Sequence, residues 1–313
     1  MSIENYIATQ KVVAAASQPP RAARRRLTWL DYILLLSLTL LCAFVAFRIN
    51  KSLDYRWNWS VVLDFIVHVD PKTGDWRANL LLIGLMMTLR IVFWSGLLAL
   101  LFGVALGMCR VSVVPILALF ARAYVDLIRG IPPLVIIFVF YFFVTSQIIP
   151  LIGLDQSLRT AGPHTLSFIE ILFGPSRLVP AFIAAAMSLA LFEAAYVAEI
   201  VRAGVQSIER GQWEASRSLG LSRFSTMRDV ILPQALQRML PPLAGQFISL
   251  IKDSSIASLI SVQELAFMAA QVSASTFRIF EVWITVAATY FVICFGLTNY
   301  LGYLEKTLQK RIR

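Results

Sequence analysis

Long apolar runs alternate with short polar ones along this chain. The apolar runs cover Trp29–Phe47, Leu80–Met108, Leu178–Ile200, Val230–Ile260 and Glu281–Tyr303. A further element, Val114–Phe143, begins amphipathic and ends strongly apolar. A helix needs about 20 apolar residues to cross a bilayer, and these runs meet or approach that length. They are continuous rather than alternating, which predicts helices and argues against a β-barrel. The pattern predicts an all-α, polytopic membrane helix bundle: a five-span core preceded by one N-terminal span.

The boundaries follow from the same pattern. Residues 1–28 read as a cytosolic basic tail, 29–48 as the N-terminal transmembrane helix and 49–79 as an external loop. Residues 80–305 form the transmembrane domain, with a cytoplasmic loop at about 205–235, and 306–313 a second cytosolic tail. The first loop carries Trp57, Trp59 and Trp76, an interfacial aromatic set, with room for a short surface helix around Trp59–Val69. Gly84, Gly96, Gly103 and Gly107 punctuate the second span, where small residues let helices approach closely in lipid. In the third element Arg122, Asp126 and Arg129 share one helical face. Gly130-Ile131-Pro132-Pro133 then interrupts the helix, because proline lacks the N–H and crowds the preceding turn. That is a surface helix turning into the membrane at Gly130; two separate short spans are the alternative. Residues 146–177 read as a polar external loop, 261–280 as an external stretch, and Pro241-Pro242 as a break in the Val230–Ile260 span.

Composition sharpens this picture. Apolar residues make up 58% of the 313 and charged ones only 15%, far from the soluble average. The net charge of +10 suggests nucleic acid in a soluble protein. Here it reads as topology, because Lys and Arg collect in the segments assigned inside. No nucleic-acid partner is expected; lipid is. Arg21 and Arg24–Arg26 hold the N-terminus in the cytosol and precede a retained helix rather than a cleaved twin-arginine signal. Both termini are expected in the cytoplasm. Cys42, Cys109 and Cys294, with His68 and His164, build neither a disulfide framework nor a metal site. Without a His cluster or a Gly-x-Ser-x-Gly elbow, an enzyme reading has no support.

Two sets of polar residues stand out. The first is the cationic island Ile208–Gly220, continuing to Val230-Ile231-Leu232-Pro233-Gln234-Ala235. Trp213, Glu214, Ala215 and Leu219 fit a short helix, Gly220 ends it through left-handed backbone, and Pro233 marks a second break. The second set lies in the spans. Glu193, Tyr196, Glu199 and Arg202 recur every third residue on one face. Intramembrane carboxylates mark a pathway by default. Glu199 and Arg202 read as an intrahelical ion pair near the inner surface. Two readings of Glu193 stay open: contact with a substrate amino group, or support of subunit pairing. Lys252-Asp253 reads as a buried ion pair or a pore-lining pair, with Ser254 and Ser255 bonding back to their own helix. Thr88 belongs to the tentative pathway. Arg129, Gly130 and Pro132 read as a kink with a charge at the inner interface. Arg90 snorkels outward or pairs within the bundle.

These pieces together resemble a known family. The spacing Glu-Ala-Ala, three residues, Gly, nine residues, Ile-x-Leu-Pro is the cytoplasmic signature of ABC importer permeases. Here Ser216 takes its third position and Val230 the place of Ile. Gly84-Leu85…Thr88-Leu89, Arg129-Gly130-Ile131-Pro132-Pro133-Leu134, Ala195–Gly204, Gly211–Ala215, Leu232–Ala235, Lys252–Ser255 and Arg278–Glu281 follow in family order. They resemble the polar amino acid uptake branch, which often has Thr at Ile131, Leu at Pro133 and Thr at Ser254; the first 78 residues lie outside the resemblance. It implies a type I importer transmembrane-domain fold in the cytoplasmic (inner) membrane. It also implies a second permease subunit, identical or a paralogue, two ATPase subunits and an external amino-acid-binding protein. The ATPase-coupling residues would be Gly211, Trp213, Glu214, Ala215, Ser216, Leu219, Gly220 and Pro233. No Gly-Lys pair is present for a P-loop, so ATP and Mg would bind the partner ATPase. Glutamine, glutamate or aspartate, a basic amino acid and cystine all fit as cargo. A self-sufficient secondary transporter or channel is the alternative; it leaves the cytoplasmic island unexplained.

Overall fold

The computed structural model describes residues 28–52, 55–70 and 74–311. The basic N-terminal tail, Arg21–Arg26 included, lies outside the described residues. The chain divides into two units, Met1–Trp57 and Asn58–Arg313. The first holds helix α1 (Trp29–Ser52), which runs five residues past the expected Phe47. Thr28 starts it by donating from its backbone N to Asp31 Oδ2 at 2.6 Å and from Oγ1 at 2.8 Å. Leu30, Ile33, Leu34, Leu36, Leu40 and Phe44 are all exposed and cover every side, as in a helix meant for lipid.

The second unit opens with α2 (Trp59–Ile66) and a small hairpin, β1 (Val67–Val69) against β2 (Trp76–Ala78), pairing His68 with Arg77. Asn79 caps the next helix by accepting from Leu80 N at 2.8 Å. That helix, α3 (Leu80–Arg110), is followed by α4 (Pro115–Gly130) and α5 (Pro133–Phe143). Ile131 and Pro132 between them are extended, so the third element is two helices rather than one. The residue before a proline is pushed out of helical backbone, which is why the break falls there. A π turn and Ile149–Leu151 extend α5 into a 19-residue apolar stretch ending at Leu151. Helices α6 (Leu154–Thr160) and α7 (Pro163–Phe173) occupy the region expected to be a polar loop. Their apolar residues are too interrupted to show a helical period. Arg90 Nε and Trp94 Nε1 hold α7 by donating to the carbonyls of Ile171 and Leu172, each at 3.2 Å.

Helix α8 (Val179–Gln206) is the hub: its apolar window is 67% buried, against 17% for that of the last helix. Seven of its alanines, Ala184 to Ala198, are at most 3% exposed. The small residues of α3 face it. A Cβ on Gly103 would stand 2.4 Å from Val197 Cβ, and one on Gly107 2.6 Å from Val201 Cβ, so only glycine permits this approach.

Helix α9 (Arg210–Ser218) follows. A short turn and a π turn, Thr226–Ile231, lead into α10 (Leu232–Asp253), then a 3-10 turn, Ser254–Ile260. Pro241 and Pro242 lie inside α10 and do not break it. Packing by neighbouring helices tolerates the missing N–H groups. Pro233 sits in the first turn, where no N–H is needed, and marks the entry to α10 rather than a break. Helices α11 (Leu265–Thr276) and α12 (Ile279–Arg311) complete the chain. The stretch 261–280, expected to be external, holds a packed helix: Leu265, Ala269 and Val272 of α11 are buried with Leu81, Val282 and Val286. Its interspersed Gln, Ser and Thr residues disguised the apolar face. Among the described residues of the second unit, four helices are long and apolar enough to cross a membrane. Arg223–Ile260 with Leu265–Thr276, bent by 51°, makes a fifth if the pair is one broken span rather than a re-entrant loop.

Candidate functional site: the α9 turn and the polar groups of the spans

Helix α9 has two sides. Trp213 packs on a small core of Val201, Val205, Ile208, Ile231, Ala235 and Met239. Ser216 is buried, and its Oγ donates back to Gln212 O at 2.7 Å. Gly211, Glu214 and Ala215 face outward. Leu219 and Phe224 beyond them are 80% and 72% exposed. The helix closes as the glycine suggests. Leu221 N donates to Ser216 O at 3.1 Å and Gly220 N to Arg217 O at 2.9 Å, with Gly220 at φ +74°. This is the paired six-to-one and five-to-two bonding that ends helices on a left-handed residue.

Glu193 is 1% exposed in α8. Its Oε2 accepts from Gln246 Nε2 of α10 at 2.6 Å, while Oε1 has no hydrogen-bond partner. It lines a cavity of about 450 Å³ together with Gln246 and mostly apolar side chains, among them Leu97, Leu100, Leu243 and Phe247. Asp253 is half-buried and interacts electrostatically with Glu193. Lys252 is exposed, so Lys252-Asp253 is not a buried ion pair. Successive side chains on a helix diverge, and these two point to different surroundings. Ser254 and Ser255 bond to Ile251 O and Lys252 O, at 2.7 and 2.6 Å.

Thr88 lies elsewhere, in a cluster that sequence reasoning missed. Glu264 is 0% exposed. Its Oε2 lies 3.1 Å from Thr88 Oγ1 and accepts from Tyr290 OH at 3.0 Å, and Oε1 accepts from Phe267 N at 2.9 Å, capping α11. Thr88 Oγ1 accepts from Leu265 N at 3.0 Å. Glu281 is also 0% exposed and accepts from Asn58 N at 2.8 Å.

Glu199 is more than half of an intrahelical pair. Arg202 grips it with two nitrogens, Arg110 Nη1 reaches it at 2.5 Å and Arg129 Nη1 at 3.7 Å. One carboxylate thus joins the ends of α3, α4 and α8. Arg129 also lies 5.5 Å over the ring of Tyr196. Among the described residues no group of His, Cys, Asp and Glu could hold a metal ion.

A helical bundle with a short, surface-presented helix between two spans is an architecture suited to the transmembrane subunit of a transport complex. The chain belongs to the family of binding-protein-dependent transport system inner membrane components, whose model matches residues 99–310. It is 38% identical over 209 residues to the probable glutamine ABC transporter permease protein GlnM of Bacillus subtilis, covering 66% of this chain and 83% of that one. It is 30% identical over 252 residues to the glutamate/aspartate import permease protein GltK of Escherichia coli O157:H7, covering 80% and 98%. A crystal structure of an amino acid ABC transporter with histidines superposes with a TM-score of 0.58 at 33% identity, covering 73% of this chain and 94% of that chain. The bundle has the type I transmembrane-domain fold of ABC importers, and the chain is a multi-pass inner-membrane permease subunit.

Proposed function

We propose that this chain is the pore-forming subunit of an ATP-driven importer for a polar or charged amino acid. An external binding protein delivers the cargo, and two ATPase subunits hold ATP and Mg and dock on α9. A second permease, identical or paralogous, completes the pore, and both termini face the cytoplasm. The observation that carries this reading is the shape of the α9 turn. Its inner side is packed and hydrogen-bonded, while Leu219 and Phe224 stand fully presented beside Glu214. Apolar anchors with a charged rim are what a partner cleft binds.

Within the bundle, the proposed pathway runs by Glu193 and Gln246 in the cavity wall, with Asp253 against Glu193; Tyr196, Lys252, Ser254 and Ser255 belong to the same proposal but do not line the cavity. The free Oε1 of Glu193 supplies an acceptor for a cargo ammonium group. Thr88 is left out, because its hydroxyl is committed to Glu264 and Leu265.

Capture of the partner ATPase by this chain tests the docking. With Leu219→Ala and Phe224→Ala together, retention falls at least about 10-fold, the effect of losing about 1.4 kcal/mol of anchor energy. The unfolding temperature stays unchanged. Full retention would exclude α9 as the docking element.

A further inference from the structure

We propose that Arg238 is a positioning residue that fastens the α9 turn to the spans on both sides, so that α8, α9 and α10 move as one lever. The inference rests on the importer reading above. A helix on a three-residue link, Ser207–Glu209, transmits a push only if that link does not fold under it.

Three kinds of contact stiffen it. Arg238, in the second turn of α10, donates through Nη1 to the carbonyl of Ser207, the residue that ends α8. A cation at this place also meets the negative end of the α8 dipole. Ser207 is held a second time, its Oγ donating to Gly204 O at 2.7 Å and its N to Ala203 O at 2.9 Å. One turn earlier in α10, Gln234 Nε2 donates to Gln212 Oε1 of α9 at 3.2 Å and to Val230 O at 2.8 Å. Below these, the apolar core shared by Val201, Val205, Ile208, Trp213, Ile231 and Met239 joins all three helices. The helices approach so closely that a Cβ on Gly204 would stand 2.3 Å from Met239 Cγ.

The contacts form a closed ring: α8 to α10 through Arg238, α10 to α9 through Gln234, α9 back to α8 through Trp213. Arg238 is the member of the ring that bridges the hinge itself. It is exposed, so its removal leaves the apolar core and the fold in place.

The whole importer, with its ATPase and binding protein, is reconstituted in vesicles and fed a radiolabelled mixture of glutamine, glutamate and aspartate. Uptake per ATP hydrolysed is read for wild type, Arg238→Met and Arg238→Lys. The expected result is a drop of at least fivefold in this ratio for Arg238→Met, with ATP hydrolysis maintained. Arg238→Lys, which keeps a donor for the Ser207 carbonyl, recovers at least half of the ratio. A wild-type ratio in Arg238→Met overturns the proposal. So does a parallel loss of uptake and hydrolysis, because Arg238 then serves assembly only. Failure of the importer reading looks different: wild type itself then forms no complex with the ATPase.

Discussion

Two buried carboxylates of this bundle, Glu264 and Glu193, have opposite surroundings. Both are out of contact with solvent, at 0% and 1% exposure. Glu264 is saturated: Thr88, Tyr290 and the Phe267 amide surround it. Glu193 holds one donor, Gln246, and lies against the half-buried carboxyl of Asp253, with no donor on Oε1, in the wall of a cavity. A carboxylate in lipid is costly unless its lone pairs are used. Full use marks a structural joint, here between α3, α11 and α12. Half use leaves an acceptor open, which is the basis of the proposed cargo contact.

The contrast breaks most visibly at Glu264. Glu264→Ala takes the acceptor from the part-buried Tyr290 hydroxyl and opens the α11 cap, each worth about 1 kcal/mol, while Thr88 keeps the Gly84 carbonyl, so about 2 kcal/mol of stability is lost. Thermal unfolding of the purified chain in detergent should show a large fall in midpoint. A midpoint within error of wild type would mean the cluster is not a joint.

Glu193→Gln should do the reverse. The unfolding midpoint holds, because the amide oxygen still accepts from Gln246. Uptake falls about 10-fold, the loss expected for one charged hydrogen bond. Unchanged kinetics across several amino acids would remove the substrate role and leave subunit pairing as the reading.

Smaller effects refine the boundary. Thr88→Val should cost about 1 kcal/mol in the same unfolding measurement and leave cargo preference alone. A shift in preference would return Thr88 to the pathway. Arg129→Gln should cost below about 0.5 kcal/mol, since the Arg129 side chain is 43% exposed, its contact is long at 3.7 Å, and Glu199 keeps Arg110 and Arg202. A larger loss would make Arg129 a principal tie of the inner surface.

Local features were legible in the sequence, and long-range ones were not. The Leu80–Arg110 helix, the break at Ile131-Pro132 and the left-handed Gly220 follow from runs, prolines and a glycine within a few residues of one another. The Glu264 cluster joins Thr88, Glu264 and Tyr290, the first two 176 residues apart, and no local period announces that. Arg110 reaches Glu199 across 89 residues, so the i,i+3 pattern revealed only Arg202. Helix α11 was hidden for another reason: Gln, Ser and Thr residues interrupt its apolar pattern. Pro241 and Pro242 misled because packing overrides their local preference.

The claim beneath all of this is that α9 makes the bundle dependent on an ATPase. The direct measurement is amino acid uptake by vesicles holding the chain with its binding protein, with and without ATPase and ATP on the α9 side. The account predicts uptake against a gradient only when both are present. Accumulation by the chain without the ATPase would contradict it.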